Sequence, residues 1–142
     1  QELTIPEVAQ SIILTRMSMQ STSMPVGETL ENFGRSGATI AIHLAVRNMR
    51  DIERQLIPHY GEDCPVVVGY RVSWPDQEII RGTLKDIRMK VRKSKITRTA
   101  LIMVGPALAE GYEFVDSALY DPAKPHLLRP VVGVDLVEPN NT

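Results

Sequence analysis

Two short strand-like segments separated by a tight corner constrain the fold more than any other stretch of this sequence. Residues 66–72 (VVVGYRV) and 78–83 (EIIRGT) have the β-branched and aromatic composition of strands. Only the short corner Trp74-Pro75-Asp76-Gln77 separates them. A parallel pair would need a crossover of about a dozen residues or more, so the two segments are predicted to form an antiparallel hairpin. Any sheet that contains this hairpin cannot be wholly parallel.

Strand-like and helix-like segments alternate along the rest of the chain. This order predicts an α/β fold, a layered domain with a mixed five-stranded sheet flanked by helices. The segments at 11–15 and 39–44 are apolar enough to be expected as buried strands. The remaining predictions are a strand at 100–104 and helices at 28–35, from Asn48 to about Gly61, and from Thr83 or Asp86 to about Lys93.

The loop predicted at 16–27 is unusual in containing Met17, Met19 and Met24. Thioether side chains adapt to irregular surfaces. These methionines either fill gaps in the packing or line an apolar ligand site, and the sequence favours the first.

Composition excludes several classes of function. A length of 142 residues is that of one domain with a real hydrophobic core, and a net charge of −1 argues against a dedicated nucleic-acid binder. Cys64 is the only cysteine, so no internal disulfide framework is possible. No apolar run approaches the roughly 20 residues that cross a bilayer. A cytoplasmic location, with no membrane and no nucleic-acid partner, is therefore expected.

No standard catalytic constellation is present. The three histidines have no metal-ligand spacing, and a nucleophile elbow, a Walker loop and a Gly-x-Gly-x-x-Gly motif are all missing. Neither a catalytic residue nor a metal ligand is therefore predicted, and His43 is interpreted as a hydrogen-bonded structural histidine rather than a general base. The run 88–98 (RMKVRKSKITR) has six positive charges and no acid. It is either a solvated face or a field that attracts a polyanion, such as nucleic acid or a polycarboxylate.

Five segments together resemble one known family. They are LTIPEVAQSIILTR (3–16), GATIAIHLAV (37–46), DCPVVVGYRVSWPDQEIIRGTLKDI (63–87), ALIMVGPALA (100–109) and DSALYD (116–121). They are similar to the tetrapyrrole methyltransferases, and within that family to the enzymes that methylate C11 of precorrin-4 or cobalt-precorrin-4. The third segment, with Trp-Pro-Asp-Gln and Gly-Thr-Leu, is the longest and most specific match. The resemblance covers most of residues 1–121.

The resemblance also implies a domain arrangement. Members of the family have a first α/β domain with a Gly-x-Gly-x-Gly-Asp loop, which nothing here matches, and their cofactor lies in the cleft between two domains. The chain is therefore expected to be the C-terminal half of such an enzyme, holding one wall of the cleft. Residues 1–10 would be the inter-domain segment, 11–121 the C-terminal methylase domain and 122–142 a loosely ordered tail.

An activity follows from the same resemblance. The family implies transfer of a methyl group from S-adenosyl-L-methionine to a polycarboxylate corrin precursor in cobalamin (vitamin B12) synthesis, by a homodimer, with S-adenosyl-L-homocysteine as product. The isolated chain would be inactive. Because the sulfonium methyl group is already activated, correct positioning can supply much of the rate without an acid–base pair. The residues matched to cofactor-contacting positions are Leu44, Ala45, Val72, Ser73, Val104, Gly105 and Pro106.

Three of these positions depart from the family pattern. Relatives that methylate uroporphyrinogen often have methionine and glycine where this chain has Leu44 and Ala45, and a small residue is usual where it has Val72. Two alternatives remain open. The chain could be a non-catalytic interaction or dimerisation domain of the same fold, or part of a related methylase acting on RNA or protein, which only the basic run 88–98 favours.

Overall fold

A single mixed sheet organises the described part of the chain. The computed structural model describes residues 2–19 and 21–110, and their five strands lie in the order β1-β2-β5-β3-β4. β1 is parallel to β2, whereas the β2–β5, β5–β3 and β3–β4 pairs are antiparallel. The elements are β1 (Ile12–Arg16), α1 (Leu30–Gly34), β2 (Thr39–His43), α2 (Met49–Tyr60), β3 (Pro65–Tyr70), β4 (Glu78–Thr83), α3 (Ile87–Ser94) and β5 (Ala100–Val104), with 3-10 turns at Val46–Asn48 and Pro106–Leu108. The predicted mixed five-stranded α/β fold is confirmed.

The antiparallel hairpin is also confirmed. β3 and β4 pair from Pro65 opposite Thr83 to Tyr70 opposite Glu78. β3 ends two residues earlier than predicted because Arg71 has a left-handed backbone, with φ of 44°. A residue in that conformation cannot continue a strand, and the chain therefore turns before Val72.

The core lies on one face of the sheet, under the helices. Alternate residues of the central strands, including Ile42, Val68 and Ile102, are fully buried there against Leu56 and Ile87. Burial of one such aliphatic side chain contributes about 1.5–3 kcal/mol relative to leaving it in water. This face therefore supplies most of the stability that holds the strand ends in place.

The prediction that β1 is a buried strand is wrong. Ile12 is 46% and Leu14 69% exposed. In the described part of the chain β1 pairs only with β2 and lies at the edge of the sheet. An apolar run has the same appearance in an edge strand and in an interior strand, so sequence alone could not separate the two.

Asp86 joins the end of β4 to the start of α3 and provides a test of the local structure. Its Oδ1 accepts a hydrogen bond from the Thr83 N–H at 2.7 Å, and its Oδ2 pairs with Lys90 Nζ at 2.9 Å. The Thr83 N–H, more than the lysine, lowers the pKa of the Asp86 carboxyl. The charged form of Asp86 therefore stabilises the folded protein. That stability is present above the ordinary pKa of aspartate and is lost as the pH falls through the lowered folded value.

Replacing Asp86 with alanine should lower the free energy of unfolding by about 1 kcal/mol at pH 7, as expected for loss of a partly exposed hydrogen bond between the Thr83 N–H and a carboxylate. The difference between wild type and Asp86→Ala should narrow on acidification, measured by urea unfolding at a series of pH values. The control is Asp63→Ala, which removes an exposed ion pair to Lys85 and should change stability little. A difference that stays constant down to the acid limit would contradict the assignment.

Candidate functional site

The loops that follow β2 and β3 lie next to the loop that precedes β5, at one end of the strands of the sheet. β5 runs antiparallel to both neighbours, with Tyr70 opposite Ala100 and Ile42 opposite Ile102. The carboxyl ends of β2 and β3 therefore meet the amino end of β5. The three loops leave a cavity of about 750 Å³, which we call the edge cavity.

The walls of the edge cavity include four exposed apolar side chains, Met19, Leu44, Val72 and Trp74. Leu44 is 68% and Val72 54% exposed. Large apolar groups clustered on a surface mark interaction sites, and this volume lies within the range of small-molecule sites, about 300–1,000 Å³. The edge cavity is therefore the candidate ligand site of the described residues.

Unfavourable backbone conformations concentrate around the same cavity. Among the described residues six non-glycine positions have positive φ, and Leu44, Arg71, Ser73 and Thr99 are four of them. Leu44, Arg71 and Thr99 line the edge cavity, and Ser73 follows directly on Val72. Each such residue costs on the order of 1 kcal/mol or more. Strain gathered at one place and held by the surrounding structure is typical of functional sites.

The corner between β3 and β4 forms a rim of the cavity that is held by non-covalent contacts between its side chains and backbone. Arg71 pairs with Asp76 at 2.7 Å, and its guanidinium carbon lies 4.2 Å from the centroid of the Trp74 ring. The Ser73 N–H donates to Gln77 Oε1 at 2.8 Å. The Arg71 N–H also donates to the Thr99 carbonyl at 3.1 Å, which joins the corner to the segment before β5. These contacts fix the position of Val72 at the cavity.

The seven residues predicted to contact a cofactor fall into two groups. Leu44 and Val72 line the edge cavity, Ser73 adjoins it, and Ala45 is fully buried beneath the loop that follows β2.

The opposite end of the strands contains Val104, Gly105 and Pro106. Val104 pairs there with Ile40 and Val66, near the starts of β2 and β3. The antiparallel direction of β5 separates them from the other four residues. Their predicted contact with a cofactor is untested.

Sequence reasoning missed several residues of the edge cavity. Arg71, Trp74 and the segment before β5, including Thr97 and Thr99, all line it. Gly69 lines it too, and a Cβ atom at Gly69 would lie 2.7 Å from Val72 Cγ2. The absence of a side chain in the middle of a strand was the available signal for a close approach there.

Few groups near the sheet could act as acids or bases. The described residues contain no group of three or more His, Cys, Asp and Glu side chains arranged to hold a metal ion. Burial is the main cause that raises the pKa of Cys64 to about 11 and that of Tyr60 to about 12, so both are neutral near pH 7. His43 is the last residue of β2, and its side chain is exposed and lines the edge cavity.

The described helices are all too short or too polar to cross a membrane.

Comparisons with known proteins agree with the fold. Residues 1–88 match the family model for tetrapyrrole (corrin/porphyrin) methylases. The precorrin-4 C(11)-methyltransferase of Pseudomonas aeruginosa is 55% identical over 130 residues, which is 91% of this chain and 51% of that protein. The same-named protein of a Sinorhizobium species is 53% identical over 122 residues, 86% of this chain and 48% of that one.

Solved structures give the same answer. A cobalt precorrin-4 methyltransferase from cobalamin biosynthesis superposes with a TM-score of 0.73 at 38% identity, over 76% of this chain and 45% of that one. A uroporphyrin-III C-methyltransferase from Thermus thermophilus, complexed with S-adenosylhomocysteine, shares the fold with a TM-score of 0.58 at 19% identity, over 75% of this chain and 46% of that one. The chain spans about half the length of the curated relatives it matches. By its family-model match over more than half of its length, this chain belongs to the tetrapyrrole (corrin/porphyrin) methylases.

Proposed function

We propose that this chain is the C-terminal domain of an S-adenosylmethionine-dependent methyltransferase that acts on C11 of precorrin-4 or cobalt-precorrin-4 in cobalamin synthesis. The observation that supports this most is the edge cavity, an apolar site at the end of the sheet in a chain more than 50% identical to two proteins of that name. In this proposal the chain provides one wall of the cofactor cleft and a second domain provides the other.

The residues of the edge cavity fit one side of a nucleoside-sized cofactor. Leu44 and Val72 present apolar surface, and Gly69 leaves room for close approach between them and the sheet. We assign Leu44 and Val72 to direct contact with the cofactor, Ser73 to the neighbouring rim and Ala45 to support from below. When bound, S-adenosylmethionine supplies a methyl group that its sulfonium already activates.

The task left to the protein is positioning rather than proton transfer. The hydrogen bonds and ion pair of the corner between β3 and β4 hold Val72 and Trp74 in place. In this proposal the second domain closes the open side of the cavity and excludes water from the site. Fixing a donor and an acceptor about 3–3.5 Å apart can supply much of a rate enhancement. The neutral states of the half-buried Tyr60 and the buried Cys64 are consistent with a reaction that uses neither as acid or base.

Calorimetric titration with S-adenosylhomocysteine tests the proposal. We expect very weak binding to the 142-residue chain and clear binding, about 100-fold tighter or more, to a longer protein that includes a preceding glycine-rich domain. A half-site loses contacts on one whole side of the ligand, and each 1.4 kcal/mol lost is a factor of ten in affinity. Tight binding by the chain alone would refute the one-wall arrangement, and failure of the longer protein to bind would refute the enzyme.

A non-catalytic dimerisation domain is the second candidate. It is favoured by β1, an edge strand with exposed Ile12 and Leu14. Edge strands of this kind are ready templates for pairing with another chain.

Methyl transfer to RNA or protein has only the basic run 88–98 in its support. A homodimeric state and a cytoplasmic location also remain predictions.

A further inference from the structure

A second cavity lies on the helix side of the sheet, between the start of α2 and the face of α3. Its volume is about 500 Å³, and we call it the basic cleft. Five cationic side chains line it: Arg47, Arg50, Arg88, Arg92 and Lys95. The sequence run 88–98 pointed to positive charge, but only the fold adds Arg47 and Arg50 from the other side.

Most of this charge has no acidic partner among residues 2–19 and 21–110. Arg88 pairs with Glu53 at 3.1 Å, and Arg47 Nε donates to the Thr97 carbonyl at 3.0 Å. Within the described residues, Arg50, Arg92 and Lys95 make no ion pair within 4.0 Å. Like charges around one concave site focus a positive field and raise the local concentration of anions.

The inner surface of the basic cleft indicates what kind of anion fits. Buried apolar side chains, among them Met49, Val91 and Ile96, form its base. The cleft also meets the first turn of the 12-residue helix α2, whose N-cap Asn48 makes no side-chain capping bond. Unsatisfied N–H groups at a helix start favour negative charge. An apolar base below a cationic rim suits carboxylates attached to an organic body better than an inorganic ion.

The basic cleft is continuous with the edge cavity. Val46, Arg47 and Thr97 line both, so the Arg47–Thr97 hydrogen bond is the ridge between them. A ligand larger than the edge cavity can therefore extend charged side groups across this ridge. None of the described residues that line the cleft is aromatic, which argues against stacked nucleic-acid bases.

We infer that the basic cleft binds carboxylate side groups of the macrocyclic polycarboxylate substrate, with Arg50, Arg92 and Lys95 as specificity-determining residues. This inference rests on the proposed function, because it places the body of the substrate next to the cofactor, at the side of the edge cavity that adjoins the basic cleft. It assigns substrate binding to a face of the domain that the cofactor does not reach.

The probe for this inference is uroporphyrin III, a porphyrin with carboxylates on all its side chains, titrated by fluorescence against the chain at about 0.15 M salt. The double variant Arg92→Gln/Lys95→Gln should bind it about 10- to 100-fold more weakly, since each lost contact is a charge-assisted hydrogen bond. The matched control is Lys93→Gln/Lys85→Gln. It removes the same charge, but neither residue lines the cleft.

The control separates local contact from the overall field. Equal affinities of the two double variants would overturn the inference, as would binding of benzenehexacarboxylate, which has carboxylates but no macrocycle, as tightly as the porphyrin. Circular dichroism confirms folding of each variant.

In the longer protein, the cleft variants should leave the affinity for S-adenosylhomocysteine unchanged. If the wild-type longer protein does not bind S-adenosylhomocysteine, the proposed function is refuted. If it binds the cofactor but the cleft and control double variants have equal affinities for the porphyrin, only the role of the basic cleft is refuted.

Discussion

Replacing Val72 with tryptophan should reduce the affinity for S-adenosylhomocysteine by about 100-fold or more while leaving the fold intact. Val72 lines the edge cavity and is 54% exposed, with Cγ2 against Gly69. An indole at this position would fill the space that we assign to the cofactor. Because the side chain is mostly outside the core, stability should change by no more than about 0.5 kcal/mol. Titration calorimetry and thermal unfolding of the longer protein measure the two effects.

The control for this substitution is Val26→Trp. Val26 is 97% exposed and does not line the edge cavity, so the same gain in bulk should alter neither binding nor stability. If Val72→Trp instead destabilises the protein and retains binding, Val72 is a packing residue. The cofactor would then have to lie elsewhere along this edge.

Much of the fold could be predicted from local sequence. The corner between β3 and β4 is too short for the crossover that a parallel pair needs, so an antiparallel hairpin was predicted. The alternation of strands and helices predicted the layered arrangement. The position of a strand within the sheet could not be predicted in this way. Residues 11–15 were expected to be buried, but the order of strands makes β1 the outermost strand on one side of the sheet.

The site was predicted only where it follows a strand directly. Leu44 and Val72 come just after β2 and β3, and both line the edge cavity. Arg71 and Thr99 were missed because their left-handed conformations depend on contacts between loops distant in sequence, such as the Arg71 N–H to Thr99 carbonyl bond. No local pattern encodes such a contact.

The direction of β5 decides which residues can share a site. The resemblance matched Gly105, Leu44 and Val72 to cofactor-contacting positions, and all three were expected to lie at strand ends. That grouping assumes strands that run the same way, and β5 is antiparallel to both of its neighbours. The amino end of β5, with Thr97 and Thr99, therefore lies at the edge cavity, and the cofactor contact of Val104, Gly105 and Pro106 stays a prediction.

Gly105 should accordingly be a packing residue, and its replacement by alanine should lower the free energy of unfolding by about 1–3 kcal/mol without changing cofactor affinity. A Cβ atom there would lie 3.1 Å from Thr39 Cα and 3.2 Å from Thr39 Oγ1. Thr39 cannot move away easily, because it is fully buried and its hydroxyl donates to the Leu3 carbonyl at 2.6 Å.

The control is Gly27→Ala, where a Cβ atom meets nothing within 4 Å and little change is expected. Urea unfolding and calorimetric titration with S-adenosylhomocysteine of the longer protein give the two readouts for both variants. Weakened binding by Gly105→Ala at unchanged stability would return residues 104–106 to the cofactor site and would place the ligand across both ends of the sheet. Loss of stability at unchanged affinity would confine the cofactor to the end of the sheet where β2 and β3 finish, since the two ends are separated by the full length of the strands.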